Sequence, residues 1–560
     1  MKITKRFGTL LMAALLATAM TSCGENGENG SSITSTGSSS QSGSSAGASS
    51  TGERITLTYY CGLQAPDVYT SNAEMLCYQI ASEKTGIDIE WVHPPKGQET
   101  EQFNLMIVSD DKPDIIESNW RTFAGGPDYA IETNVIQDIT DAVAQYMPNY
   151  SAYLDKYPDL RQMVSSDQSR LYCIPYIFTD TPDTSSEWKS IMDREPIPET
   201  YVGIIMRGDW LEELGLDAPE TIDDFVEVLT AFKNEKNASV PFSTTTGFLK
   251  QSQIFASAYD VTSDGFVDVD GKAVFSPVQD SYKEYLTVLN RLYTEGLLDP
   301  DFTVQDGTTN QAKITSGETG MWLGYYSSWL NAFYDQLHTQ DPSTTFNPIG
   351  LANPVLTEGQ QLIYRQADAA YRSSGAAISS SCQNVEAALT YLDWAFTEEG
   401  DLAMNWGEED DTFEWDENHW PKLTDKVIND PDELGVATAI TKYTRKNGPI
   451  GMDYYNRLVL GKSSGTEEGL KGLAVWNSER NGTRSASMPL TTATSEESAR
   501  VSALSSEIGT YVSESYAKFV MGELPLSDFD KYVATVESMG LEEYTTLTQA
   551  ALDRYYNRSK

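Results

Sequence analysis

A chain of 560 residues, 40% hydrophobic and 11% aromatic with 31 Tyr and 11 Trp, is long enough for several packed units and is not a disordered polymer. Its net charge of −43 lacks the cationic footprint that displaces counterions from phosphates, which argues against DNA or RNA as a partner. Five Cys without a CxxC and three His without an HxxxH argue against a zinc centre, so neither a metal nor a cofactor is expected.

The amino terminus comes first. Lys2, Lys5 and Arg6 precede an apolar run from Phe7 to Met20, which is too short to span a bilayer and fits the core of a signal peptide. The run ends in Met20-Thr21-Ser22-Cys23-Gly24, which resembles a lipobox, although Met20 stands where Leu is preferred. The resemblance implies cleavage after residue 22 and a lipid on Cys23. Residues 24 to 53 are almost entirely Ser, Gly, Thr, Asn and Glu, a composition that cannot bury a core. The expected layout is therefore a signal peptide over 1–22 and a lipid-anchored flexible linker over 23–53, which places the protein on the outer face of a cell membrane.

From Arg54 onward short apolar strands alternate with amphipathic helices. Strands are expected at Ile55 to Tyr60, Asp88 to Val92 and Asp114 to Glu117, with a helix over Ala73 to Lys84 closed by Gly86. This alternation predicts parallel βαβ units. Further along, Thr221 with Asp224 forms a capping-box pattern, and Phe225, Val228, Leu229 and Phe232 then share one helical face. Tyr282, Tyr285, Leu286, Leu289 and Leu292 make a second stripe, stopped by Gly296. Val267 to Phe275 reads as a hairpin turning at Asp270-Gly271. Two helices close the chain, one carrying Tyr532, Val533 and Val536, the other Leu547, Ala551, Leu552 and Tyr555.

Several segments resemble the large extracellular solute-binding lipoproteins of family 1, the carbohydrate-binding subunits of ABC importers. They are Tyr201 to Lys233 (YVGIIMRGDWLEELGLDAPETIDDFVEVLTAFK), Tyr293 to Pro300 (YTEGLLDP), Ser316 to Met321, Tyr391 to Trp394 with Thr397 to Gly400, and Gly522 to Leu526 with Gln549 to Tyr555. The resemblance implies an α/β, two-lobed periplasmic-binding-protein-like fold of type II. Each lobe is then a doubly wound sheet with flanking helices, and extra helices follow at the carboxyl end. Lobe 1 is expected over 54–175 and 374–408, and lobe 2 over 176–373 and 409–560, with crossings near Leu171 to Phe178 and Asp368 to Ile378. A monomer that closes on a sugar and delivers it to membrane permeases is implied. Relatives carry an Asp/Asn/Gly-rich calcium loop after the "AFK" helix. Here Asn234 to Pro241 lacks that alternation and its Gly, so no calcium site is carried over.

Open α/β sheets bind ligands beyond the carboxyl ends of their strands. Tyr60, Asn119, Trp120, Tyr176, Tyr326 and Trp329 follow strands in this way. Flat rings suit the C–H faces of a pyranose, and Asn, Arg and Ser suit its hydroxyls. Trp329 is the leading candidate. Arg207 is either a cleft donor or the partner of Asp209, while Trp210 is assigned to the core. Trp406 and Trp476 are further cleft candidates, with Arg372 behind them. Glu408 to Asp411 reads as a solvated acidic loop. For Cys61, Cys77, Cys173 and Cys382, export permits two disulfides, and their apolar settings suit free thiols, which is the reading taken. An exported carbohydrate-cleaving enzyme or a surface glycan-binding or sensor-partner lipoprotein are the alternatives to transport. No GxSxG or HExxH supports the enzyme.

Overall fold

The computed structural model describes residues 54–177, 200–367, 371–417, 421–432, 434–445, 451–452 and 466–559. The leader, the linker and Cys23 lie outside these residues, as do parts of both expected crossings and the side chain of Arg372.

Two mixed sheets organise the chain. In the first, Ile55–Tyr60 pairs in parallel with Ile87–Val92 on one side and Ile115–Ser118 on the other. Tyr371–Ile378 then runs antiparallel between Ile115–Ser118 and Ile174–Ile177, and Gly451–Met452 adds in parallel beyond Ile174–Ile177. Five strands therefore point the same way, and their carboxyl ends meet the start of Tyr371–Ile378. Helices cover both faces. Tyr59, Ile115, Ile174 and Ala376 feed one core, and Tyr60, Ile116, Cys173 and Ala377 the other, as the two-residue strand period requires.

The second sheet departs from the parallel expectation. Val202–Arg207 is antiparallel to both Met321–Tyr325 and Pro348–Leu351, and only Phe242–Ser243 pairs in parallel, with Met321–Tyr325. Ile204, Met206, Met321 and Leu323 face one core, and Ile205 and Trp322 the other.

The local signals act as their chemistry dictates. Thr221 and Asp224 close a reciprocal capping box on the helix Ile222–Glu235, and Asp280–Thr294 buries the predicted Tyr282, Tyr285, Leu286, Leu289 and Leu292. Asp270 and Gly271 both take positive φ, the geometry that a two-residue hairpin turn demands. The carboxyl-terminal helices Ser495–Met521 and Phe529–Ser538 pack on Asp280–Thr294, where the Tyr285 and Tyr516 hydroxyls meet at 3.0 Å. The last helix, Leu541–Tyr556, touches both lobes. Gln549 bonds Gly271 O and Ala273 N in the second, and Arg554 holds Asp167 in the first.

Residues 409–560 are expected with the second lobe; within them, Tyr443, Arg445 and Gly451 bond to elements around the first sheet. Cys77 N donates to Tyr443 O, Arg445 N to Met404 O, and Gly451 pairs with Tyr176. The open side of Ile174–Ile177 offers ladder groups that need a partner, and Gly451–Met452 fills them. All four described cysteines are buried free thiols.

Candidate functional site

The facing ends of the two sheets define the site. Thr200 sits at the start of Val202–Arg207 and donates through Oγ1 to Gln366 O at 2.5 Å. Asn477, at the end of the helix Glu467–Trp476, clasps Thr200 N and O at 3.0 and 2.9 Å, and Arg365 Nη1 donates to Asn477 O at 3.1 Å. Thr200 and Gln366, described residues beside the two expected crossings, thus meet at one end of the second sheet, where Val202 pairs with Tyr325. On the first sheet the matching end is the carboxyl end, with Tyr60, Ser118 and Ile177.

This geometry separates residues that the sequence reading had grouped. Arg207 closes Val202–Arg207, but that strand runs away from the crossings, antiparallel to Met321–Tyr325. Arg207 and the loop holding Tyr326 and Trp329 therefore lie at opposite ends of the sheet. Arg207 is 9% exposed and held by Asp209 through two hydrogen bonds, with its guanidinium over Trp210 and Phe346. Its geometry is that of the ion pair with Asp209, the second of its two expected roles.

Trp476 lies deeper than a cleft contact is expected to. It is fully buried on the second sheet, seated over Gly203 and Gly350, and its indole N–H donates to Leu351 O at 3.0 Å. A Cβ on Gly203 would come within 2.3 Å of the ring, so the two glycines form the seat. Trp120 is enclosed by Phe103 and Phe123, with its N–H directed to Ile116 O at 3.3 Å. Trp406 is buried against Phe413, in a small cluster with Leu423 and Val427. Trp329 is buried too, edge-on to Phe248 and Phe333. Tryptophan is the largest apolar filler, and here each position had room to bury it.

Other predicted residues do stand at the facing ends. Tyr60 is buried, and its hydroxyl reaches Glu99 O at 3.4 Å. Beside it the segment Gly97–Leu105 borders a shallow concavity of 510 Å³ that includes Glu99, Glu101 and Asn104. Asn119 ends the third strand with a buried Oδ1 that has no hydrogen-bond partner. Tyr176 is buried under the Arg445 guanidinium at 5.0 Å, and Tyr326 is buried at the start of its helical turn.

Three residues were missed. Tyr325, 39% exposed and edge-on to Phe248 at 5.4 Å, is the aromatic at the second sheet's end that is open to solvent. Glu117 is half-buried on the face that holds Tyr59, with Oε2 unpaired. Burial pushes its carboxyl up to about 8, opposed by Arg445 and by Tyr59. Arg445 is fully buried. A carboxylate ending an apolar strand (Pro113 to Ser118) was a readable signal for Glu117. Nothing near Arg445 in sequence marked it.

The comparisons with known proteins meet this geometry. The family model for bacterial extracellular solute-binding proteins matches residues 74–402, more than half of the chain. The chain belongs to that family. It is 24% identical over 502 residues to the fructooligosaccharide ABC transporter substrate-binding protein FusA of Streptococcus pneumoniae serotype 4, covering 86% of this chain and 87% of that one. Lipoprotein LipO of Bacillus subtilis is 25% identical over 282 residues, 49% of this chain and 51% of the relative. The alginate-binding protein AlgQ2, solved without calcium, superposes with a TM-score of 0.69 at 20% identity, covering 90% of this chain and 99% of its own. The two-lobed solute-binding fold is therefore established for this chain.

Proposed function

We propose that this protein is the extracytoplasmic carbohydrate-binding subunit of an ABC importer, taking an oligosaccharide between its lobes. The observation that carries this reading is the pair of facing strand ends. One offers the exposed ring of Tyr325, and the other the unpaired oxygens of Glu117 and Asn119. An apolar ring face and polar edge groups across a gap match the two surfaces of a sugar. Lobe closure about the Thr200–Gln366 clasp would trap the ligand and present one closed surface to permease subunits. The relatives named for fructooligosaccharide and alginate binding support a glycan, and the share of the chain they match supports an oligosaccharide. The protein acts as a monomer and binds without cleaving.

Calorimetry and chromatography together test this. The mature protein is titrated with fructo-, manno-, alginate and galacturonate oligosaccharides, and the mixtures are then analysed for products. Saturable binding without new products is expected, while product formation makes the protein an enzyme.

We also infer that Cys23 anchors the chain, the linker letting the folded body stand off the membrane. LipO, a lipoprotein by name, supports this. Mass spectrometry of the mature amino terminus should find a lipid-modified Cys23, and an unmodified terminus sinks the anchor.

A further inference from the structure

The first lobe buries an acid and a base, Glu117 and Arg445, that leave polar atoms without hydrogen-bond partners. Arg445 is 1% exposed, yet none of its three side-chain nitrogens has a hydrogen-bond partner. A guanidinium carries five donors and keeps its proton, so burying it unpaired is among the costliest arrangements a fold can hold. Other buried arginines here are satisfied: Arg207 by Asp209, and Arg558 by Asp167. Arg445 instead lies over the Tyr176 ring, and its Nη2 presses so close to Gly451 that a Cβ there would come within 2.8 Å.

Glu117 is its electrostatic counterpart. Arg445 draws the Glu117 carboxyl toward its charged form, but the two make no hydrogen bond, and Glu117 Oε2 is buried and unpaired. Both stand at the end of the first sheet that faces the second lobe. Glu117 and Ile174 flank Ala376 in register, so Glu117 and Tyr176 share a face, one strand apart. Asn119 Oδ1, two residues on, is a third unpaired acceptor.

We propose that Glu117 and Arg445 form a hydroxyl-reading pair, in which a sugar hydroxyl donates to Glu117 Oε2 and accepts from Arg445, so that with Glu117 ionised the cleft selects a neutral glycan over a uronate. This rests on the carbohydrate-binding reading above. A hydroxyl is the one sugar group that both donates and accepts, and each bond is charge-assisted. With Glu117 ionised, as accepting that hydroxyl favours, the pair is neutral as a unit and needs no charge from the ligand. A uronate carboxylate would satisfy Arg445 but would be repelled by an ionised Glu117, so it pairs with the protonated form that burial favours below about pH 8.

The sign of proton linkage separates the two ligands. A hydroxyl donating to Glu117 favours its ionised form, so neutral-glycan binding releases a proton and tightens as pH rises. A uronate does the reverse. The other titratable groups around Glu117 are Tyr59 and Cys61 on the first strand, Cys77 and Tyr78 on the helix Leu76–Thr85, and Tyr391 on Val385–Trp394. Burial pushes all of them upward. His93 lies past the second strand, two strands from Glu117, between Cys61 O and Asn72 N.

Calorimetry on the mature protein with kestose, mannotriose and trigalacturonate, near pH 7 and pH 9 and in buffers of different ionisation enthalpy, tests the pair. The expected result is a neutral trisaccharide binding with proton release and tighter at the higher pH. Glu117→Gln and Arg445→Lys should each weaken it about 10- to 100-fold, the range of a hydrogen bond to a charged group. Glu117→Gln should also abolish the pH dependence while melting stays cooperative. Preference for trigalacturonate at pH 9, or affinity unchanged in both variants, overturns the pair and leaves carbohydrate binding intact. No heat with any of the three glycans overturns the pair together with the carbohydrate reading it rests on.

Discussion

Arg207 and Asp209 are locked in a two-pronged ion pair, Nε to Oδ1 at 2.8 Å and Nη2 to Oδ2 at 2.5 Å, at the end of the second sheet remote from the crossings. Asp209 Oδ1 also accepts from Asn347 N at 3.3 Å, which ties the pair to the segment leading into Pro348–Leu351. Arg207→Met strands a buried carboxylate and should cost about 3–5 kcal/mol of stability in urea denaturation. Glycan affinity of the folded variant should not change. A folded variant with weakened binding would return Arg207 to the cleft.

Tyr325 and Trp329 should part company under mutation. Tyr325 is open to solvent, so Tyr325→Ala should lower glycan affinity by about tenfold, an aromatic contact of about 1–1.5 kcal/mol, with little change in melting temperature. Trp329→Ala empties a site walled by Phe248 and Phe333 and should destabilise the second lobe by about 3–5 kcal/mol. Affinity and melting curves measured on both variants decide the assignment. The reversed pattern would make Trp329 the contact.

Gly203→Ala tests the seat of Trp476. The added methyl would overlap the indole, and the strand has paired neighbours on both sides that hinder its retreat. Overpacking of this kind should cost about 1–3 kcal/mol. A variant as stable as the parent would mean that the helix Glu467–Trp476 slides freely on the sheet.

Glu117 predicts a pH profile of stability. Its folded carboxyl is raised from 4.5 to about 8, chiefly by burial. The folded protein therefore holds that proton more tightly than the unfolded chain. The stabilisation it brings is complete below about pH 4.5 and is lost as pH rises through about 8. Unliganded parent protein should lose melting temperature between pH 5 and 9 more steeply than Glu117→Gln. Parallel profiles would show that the carboxyl is solvated.

Asp167 accepts from Arg554 at 2.8 Å and from Arg558 at 2.7 Å, so the last helix, which also grips the second lobe through Gln549, is tied to the first. Asp167→Asn leaves the buried Arg558 guanidinium without its counter-charge and should cost about 3–5 kcal/mol. Chemical denaturation followed by intrinsic fluorescence measures it, and a loss below about 1 kcal/mol would show that the two arginines find other acceptors.

Local chemistry was legible wherever one residue pair decides a backbone state. Thr221 with Asp224 caps a helix, Asp270-Gly271 turns a hairpin, and the stripe from Tyr282 to Leu292 faces a core, because propensity, capping and periodicity act over a few neighbouring residues. The family, and through it two lobes, was legible from the order of motifs between Tyr201 and Tyr555. Strand direction was not. Whether Val202–Arg207 runs toward the cleft or away from it depends on its pairing with a strand more than a hundred residues later, and that pairing alone moved Arg207 to the far end. Burial was equally hidden. Trp120 and Trp476 follow strands or helices as ligand contacts would, but Phe103 and Phe123 enclose the first, and glycine seats from distant strands enclose the second. Arg445 shows the same limit from the other side. Its sequence neighbourhood carries no signal, and only the return of the chain to Ile174–Ile177 places its unpaired guanidinium over Tyr176. Sequence by itself determined the elements and the family, because those follow from short-range chemistry. Tertiary structure decided which side chains reach the cleft, because that depends on long-range pairing.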